Sequence, residues 1–320
     1  MQGNTTQYNK TGLAAAVLLA LGLATMTGCA STASNSATNA ATNAAANSAA
    51  NTAANSAANT AANTAANSAA ITATSSATAP AAAAPAASAN QFPDYLTIEP
   101  GTLPLVFSVP HGGNVKLADA PERAKGTKVQ DDRVNELAAA IQRHLLAKSG
   151  RQAYLVGANI SRKYIDFNRK AEDAYEAPSA APVYDAYYGA LRSAIDTVRT
   201  QPGALLVDIH GQSLDRGAIF RGTGSGLTAR NAPFYTTPDG LITRLEAGGL
   251  NVLPKAAEDK ETHFSGGTIV RVFGVQTPQG IDSVQLEFGA NWRAGAERIE
   301  QTAAVVADAL LAHLRAAGYR

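Results

Sequence analysis

From Ala30 to Asn90 the chain carries no charged side chain; the stretch is written in Ala, Asn, Ser and Thr, with a few Pro and one Ile. Such a segment has no apolar face to bury and so cannot offset the conformational entropy that folding removes. All 25 Asp and Glu, and 25 of the 26 Lys and Arg, lie beyond position 93; Lys10 is the exception. A fold must therefore be built from residues 91–320, enough for one domain with a proper core. The two signs cancel in that part, which excludes a strongly basic nucleic-acid binder and gives no case for an acidic partner.

Lys10 precedes an apolar run from Leu13 to Leu23. A bilayer-spanning helix needs roughly 20 such residues, so this run reads as the core of an export signal. It leads into Met26-Thr27-Gly28-Cys29, which resembles the lipobox of bacterial lipoproteins. Residues 1–28 are thus expected to be a lipoprotein signal peptide, with Cys29 acylated as the new N-terminus. Cys29 is the only cysteine, so no disulfide supports the fold and no thiolate does chemistry. The expected location is the bacterial outer membrane, facing periplasm or cell surface, with the membrane reached through Cys29. Residues 29–90 repeat Asn-Ser/Thr-Ala-Ala between Asn47 and Asn59 and stiffen with Pro80 and Pro85. They read as a disordered tether, and a flexible coil of about 60 residues spans on the order of 45 Å.

Within the domain, β-branched and Leu-rich runs alternate with helical patterns. Strands are expected at 105–109, 153–156, 204–209, 270–273 and 283–288. Helices are expected at 132–148, 184–200 and 293–315, the first with Val134, Leu137, Ile141 and Leu145 on one stripe and Gly150 just past its end. This alternation implies a layered α/β fold with a largely parallel sheet, in which ligands gather at the carboxyl ends of strands.

Two of those ends carry histidine with glycine behind it: Pro110-His111-Gly112-Gly113 and Asp208-Ile209-His210-Gly211. Asp208 shares a strand face with His210 and is placed to fix its tautomer. Glu287 stands between Leu286 and Phe288, and a buried Glu is rare unless paired or functional. One strand-end His is ordinarily a hydrogen-bonded structural residue. Two, with a carboxylate at hand, suggest a divalent metal such as zinc, which takes neutral His and carboxylate and keeps a position open for water. The third ligand is open among Asp131, Asp132 and Asn114. His144 and His313 lie within helices and read as partly exposed polar residues. His263, in a Gly-rich loop, reads as a residue that contacts substrate.

Five segments in this order resemble the N-formylglutamate amidohydrolase family: 109–113 (VPHGG), 161–169 (SRKYIDFNR), 207–211 (VDIHG), 264–267 (FSGG) and 285–287 (QLE). The resemblance runs from about Leu103 to the end. It implies an α/β fold of three αβα layers around a mixed, largely parallel sheet, like that of the zinc carboxypeptidases and aspartoacylase, and one zinc per chain. His111 and His210 would be ligands. In carboxypeptidases the Glu ligand follows the first His by three; here that place is Asn114. Asp131 stands in register with the family's own Asp-containing segment and is the implied third ligand, with Asp132 behind it. Glu287 matches the catalytic glutamate. Asn168 and Arg169 match the pair that holds a substrate carboxylate.

The chemistry these residues offer is amide hydrolysis. Glu287 takes a proton from water and passes it to the leaving amine. Arg169 offers a planar fork to a carboxylate or amide oxygen. Arg162 is expected either to assist it or to pair with Asp166. The expected substrate is a small N-acyl amino acid or a peptide. An envelope anchor has no use in cytosolic histidine breakdown, where the family's own reaction belongs, so a γ-glutamyl or peptidoglycan-type peptide is favoured over N-formylglutamate. An inactive binding lipoprotein of the same fold and a spacer whose working part is the tail are the other expectations. No nucleic acid is expected as a partner.

Overall fold

A computed structural model describes residues 90–230, 237–257 and 260–320. The expected signal peptide, Cys29 and the tether up to residue 89 lie outside the described residues. Asn90, assigned above to the tether, already belongs to the domain: its Nδ2 donates to Leu96 O (2.8 Å) and its Oδ1 accepts from Phe92 N–H (3.0 Å).

Seven strands form one sheet: β1 (Leu96–Glu99), β2 (Leu105–Val109), β3 (Tyr154–Ala158), β4 (Leu205–Gln212), β5 (Ile219–Gly222), β6 (Val252–Leu253) and β7 (Asp282–Gly289). Their order across the sheet is β1-β3-β2-β4-β7-β5-β6. The central strands β3, β2, β4 and β7 run parallel. β1 and β5 run antiparallel to their inner neighbours, and β6 follows β5. The helices are α1 (Val134–Ser149), α2 (Ala171–Ala174), α3 (Ala181–Val198), α4 (Leu241–Ala247), α5 (Thr268–Phe273) and α6 (Ala296–Ala316).

Strand alternation divides the interior in two. Leu105, Phe107 and Val109 of β2, Leu205, Val207 and Ile209 of β4, and Val284, Leu286 and Phe288 of β7 point to one face. There they meet Val134, Leu137, Ile141 and Leu145 of α1 and Ile299, Val306, Leu310 and Leu314 of α6. Val106 and Leu206 point to the other face, with Val183, Tyr187, Leu191 and Ile195 of α3 and Ile269 and Phe273 of α5. The result is the three-layer αβα arrangement with a mixed, largely parallel sheet. Gly150 closes α1 with its N–H on Leu146 O (2.8 Å).

Residues 270–273, expected as a strand, lie in helix α5. Ile269, Val270 and Phe273 are buried together, a spacing that a helical turn satisfies and a strand does not. A run as short as Val270-Arg271-Val272-Phe273 fits both periods, and packing decides: the segment lies against β4 and β7, with Phe273 stacked on Tyr188 of α3 at 5.9 Å. The short edge strands β1 and β6, the short strand β5 beside β6, and the short helices α2 and α4 had no counterpart in the pattern. His313 is buried rather than partly exposed. Among the described residues no helix is long and apolar enough to cross a membrane.

Candidate metal centre

The face that carries Val106 and Leu206 changes character toward the carboxyl ends of the strands. Ser108, Asp208 and Gln285 stand side by side across β2, β4 and β7, and His210 and Glu287 form the next row. Asp208 is fully buried, and Ser108 is held by the Tyr187 hydroxyl at 2.8 Å. His111 follows the end of β2. Its carbonyl accepts the N–H of Asp131 (3.1 Å), which brings the loop ahead of α1 over the strand end. Gly113 permits the crowding beside it, since a Cβ there would lie 2.2 Å from the main chain of Asn159.

Three acceptor atoms converge here. His111 Nδ1 and His210 Nδ1 are 3.1 Å apart, and Asp131 Oδ2 lies 3.1 Å from the second and 3.4 Å from the first. The opposite ring nitrogens fix the tautomers. His111 Nε2 is 2.7 Å from Asp166 Oδ1, and His210 Nε2 is 2.9 Å from Asp208 Oδ2. An ionised carboxylate only accepts, so both Nε2 atoms carry a proton, and Nδ1 is the nitrogen each ring offers to a cation when it is unprotonated. Without a metal, protons on the imidazoles meet the Asp131 carboxylate; with both rings neutral, the same three atoms face one another as ligands. Tetrahedral zinc, with ligand bonds of about 2.0–2.1 Å, sets its ligand atoms roughly 3.3–3.4 Å apart. The residues present fit a divalent metal, and the carboxylates behind each imidazole are the usual support of such ligands.

The surrounding charges follow from burial and these contacts. Burial opposes ionisation of Asp131, yet its hydrogen bonds to His111 and His210 hold the carboxyl well below the usual range. Asp166 is likewise held low against burial by His111 and Arg162. Burial pulls His210 down, but the charges of Asp208 and Glu287 outweigh it and hold the imidazolium well above its ordinary value without a metal. Glu287 is pushed up to about 7, chiefly by burial. Gln285 receives the Gly267 N–H on Oε1 (2.7 Å), which directs its Nε2 to Glu287 Oε1 (2.7 Å).

The structure therefore brings together His111, Asp131, His210 and Glu287. Asp132 and Asn114 are exposed and outside the triad. A cavity of about 770 Å³ opens over it, lined also by Arg162, Arg169, Arg293 and the loop Phe264–Gly267. Arg169 is exposed there, with Nη1 on Asn168 O (2.9 Å). Asn168 is buried, and its Oδ1 accepts from Ile269 N–H (3.1 Å). Arg162 is taken up by Asp166, Nε to Oδ2 at 3.0 Å. His263 lies off the cavity wall, exposed and edge-on to Phe220 at 5.7 Å.

Sequence reasoning missed the role of Asp166 behind His111, gave Gln285 no role beyond its place in the segment 285–287, and assigned Arg293 no part in the site. For Gln285 a signal existed, because it precedes Glu287 by two on one strand face. For Asp166 none did, since its partner is 55 residues away.

No protein-family profile matches the chain, and no curated protein matches it either. Solved structures do. The chain is similar to an N-formylglutamate amidohydrolase from Ralstonia eutropha JMP134, with 20% identity over 71% of this chain and 98% of that one and a TM-score of 0.49. These likenesses lie at the level of the fold. A gene product of Agrobacterium tumefaciens matches with 17% identity over 70% and 96% of the two chains, TM-score 0.41. An N-acetylmuramyl-L-alanine amidase from Mycobacterium smegmatis matches with 13% identity over 66% and 97%, TM-score 0.33.

Proposed function

We propose that this chain is a metal-dependent amidohydrolase whose cation, zinc on the chemistry of the donors, is held by His111, Asp131 and His210. One observation carries the reading: His111 Nδ1, His210 Nδ1 and Asp131 Oδ2 meet within 3.4 Å of one another, each imidazole backed by a carboxylate on its other nitrogen, beside a carboxyl poised to exchange a proton near neutrality. A divalent cation supplies Lewis acidity for an amide carbonyl and lowers the pKa of water. The chain's own residues do the rest. Glu287 accepts the proton of the attacking water and returns it to the departing nitrogen. Gln285 holds Glu287 on the side toward Gly267. Asp166 and Asp208 hold the imidazoles in the tautomer that presents Nδ1. Arg169, exposed at the cavity wall, receives a substrate carboxylate.

The substrate in this reading is an N-acyl amino acid or a γ-glutamyl or peptidoglycan-type peptide of the cell envelope. The leader, Cys29 and the tether support an anchored, exported enzyme, and N-formylglutamate is the competing substrate. The test is metal content of purified protein together with a hydrolysis screen over peptidoglycan fragments and N-acyl amino acids. One zinc per chain is expected, with turnover that a chelator removes and zinc restores. Glu287→Gln should lower kcat about 10²- to 10⁴-fold. Unchanged turnover in that variant, or full activity without metal, rejects the mechanism; turnover of N-formylglutamate alone rejects the envelope substrate.

A further inference from the structure

Arg293 is a buried cation in the wall of the cavity, and the mechanism above does not use it. It ends the short turn Ala290–Arg293 after β7. The turn is fixed on both sides. Trp292 Nε1 donates to Gly217 O (2.9 Å), Asn291 N–H to Arg216 O (2.9 Å), and the Thr302 hydroxyl to Trp292 O (2.7 Å). The guanidinium is thereby aimed before it makes any contact of its own.

Its three nitrogens then go to three carbonyls. Nε donates to Phe288 O (3.1 Å), Nη2 to Gln212 O (3.2 Å) and Nη1 to Asp132 O. Each carbonyl neighbours a residue of the site. Phe288 follows Glu287, Asp132 follows Asp131, and Gln212 stands two beyond His210. Gly211 makes room for this: a Cβ there would lie 2.7 Å from the guanidinium carbon. The N–H of the same glycine donates to Asp131 Oδ2 (3.1 Å).

We propose that Arg293 is a positioning residue that sets the spacing of the two metal-binding segments and the Glu287 strand by clamping their main chains from one planar fork. The proposal rests on the metal-dependent reading of the site. A lysine cannot replace it, because three donors on one ammonium nitrogen cannot reach three separated carbonyls as a rigid guanidinium does. The charge also matters. Asp131, Asp132 and Glu287 favour the guanidinium against the burial that disfavours it, so the clamp bears its charge toward the carboxylates it spaces.

The test compares wild type, Arg293→Lys and Gly211→Ala, full chain in each case. The readouts are zinc affinity by competition with a chromophoric chelator, melting of the metal-free protein, and kcat and KM. Both variants should bind zinc about 10- to 100-fold more weakly, the size seen when support of a ligand is lost. Both should also lose kcat with KM little changed, and the loss of zinc affinity should appear in protein that is still fully folded by its metal-free melt. If Arg293→Lys does not fold, Gly211→Ala decides, since it displaces the guanidinium without removing it. Variants that match wild type in zinc affinity and kcat overturn the clamp and leave the metal reading standing. Lower metal-free stability with unchanged zinc affinity overturns it too, because that is how a merely structural arginine behaves. Wild-type protein that takes up no zinc overturns both.

Discussion

Zinc should stabilise this fold by an amount that its three ligands account for. The domain buries the Asp131 carboxylate against the Nδ1 atoms of His210 and His111, at 3.1 and 3.4 Å. A ligand that binds only the folded state adds about 2.7 kcal/mol at a free concentration 100 times its Kd. For a domain of this size each kcal/mol moves Tm by roughly 2–4 °C. Stripped protein should therefore melt roughly 5–11 °C higher once zinc reaches 100 times its Kd. Circular dichroism melts of chelator-treated protein, with zinc added back, measure it. Asp131→Asn, His111→Ala and His210→Ala should each lose most of the shift, because three ligands fall to two. Magnesium should give little, since the site offers two nitrogens and one oxygen. An equal shift in all three variants would place the cation elsewhere and refute the assignment.

Three other outcomes follow from the same geometry. Asp131→Ala should abolish stoichiometric zinc while Asp132→Ala retains it, read by metal analysis of the two purified variants. In metal-free protein Glu287→Gln should stabilise: a carboxyl raised to about 7 by burial is penalised when it ionises, so the gain is present above about pH 7 and fades as pH falls toward about 4.5. Urea titrations at pH 5 and pH 8 check this, and an equal effect at both refutes it. Leu137→Ala, in the core between α1, α6 and the sheet, should cost about 2–5 kcal/mol by urea denaturation, because the residue is fully buried there.

What the sequence disclosed depended on where each signal was stored. The central strands β2 and β4 are buried on both faces, so 105–109 and 205–209 stand out as runs that are mostly apolar, while 282–289 is legible from its alternation of Val284, Leu286 and Phe288 with polar residues. The glycines behind His111 and His210 mark the same strand ends. Edge strands such as Val252–Leu253 are too short to carry a period. The run at 270–273 satisfies two periods at once, and only its packing against the sheet and α3 separates them. The burial of Glu287 was inferred from Leu286 and Phe288, yet those side chains enter the opposite core. The inference reached a buried carboxyl through neighbours that do not bury it. Asp166 and Arg293 act on residues far along the chain, and no local pattern marks such contacts.

The two imidazoles that face each other at 3.1 Å are 99 residues apart in sequence, and the loop carrying Asp131 lies between them. No local segment holds two of the three ligands in place before the sheet has closed. The unfolded chain is therefore a poor chelator, and selection of the cation falls after folding.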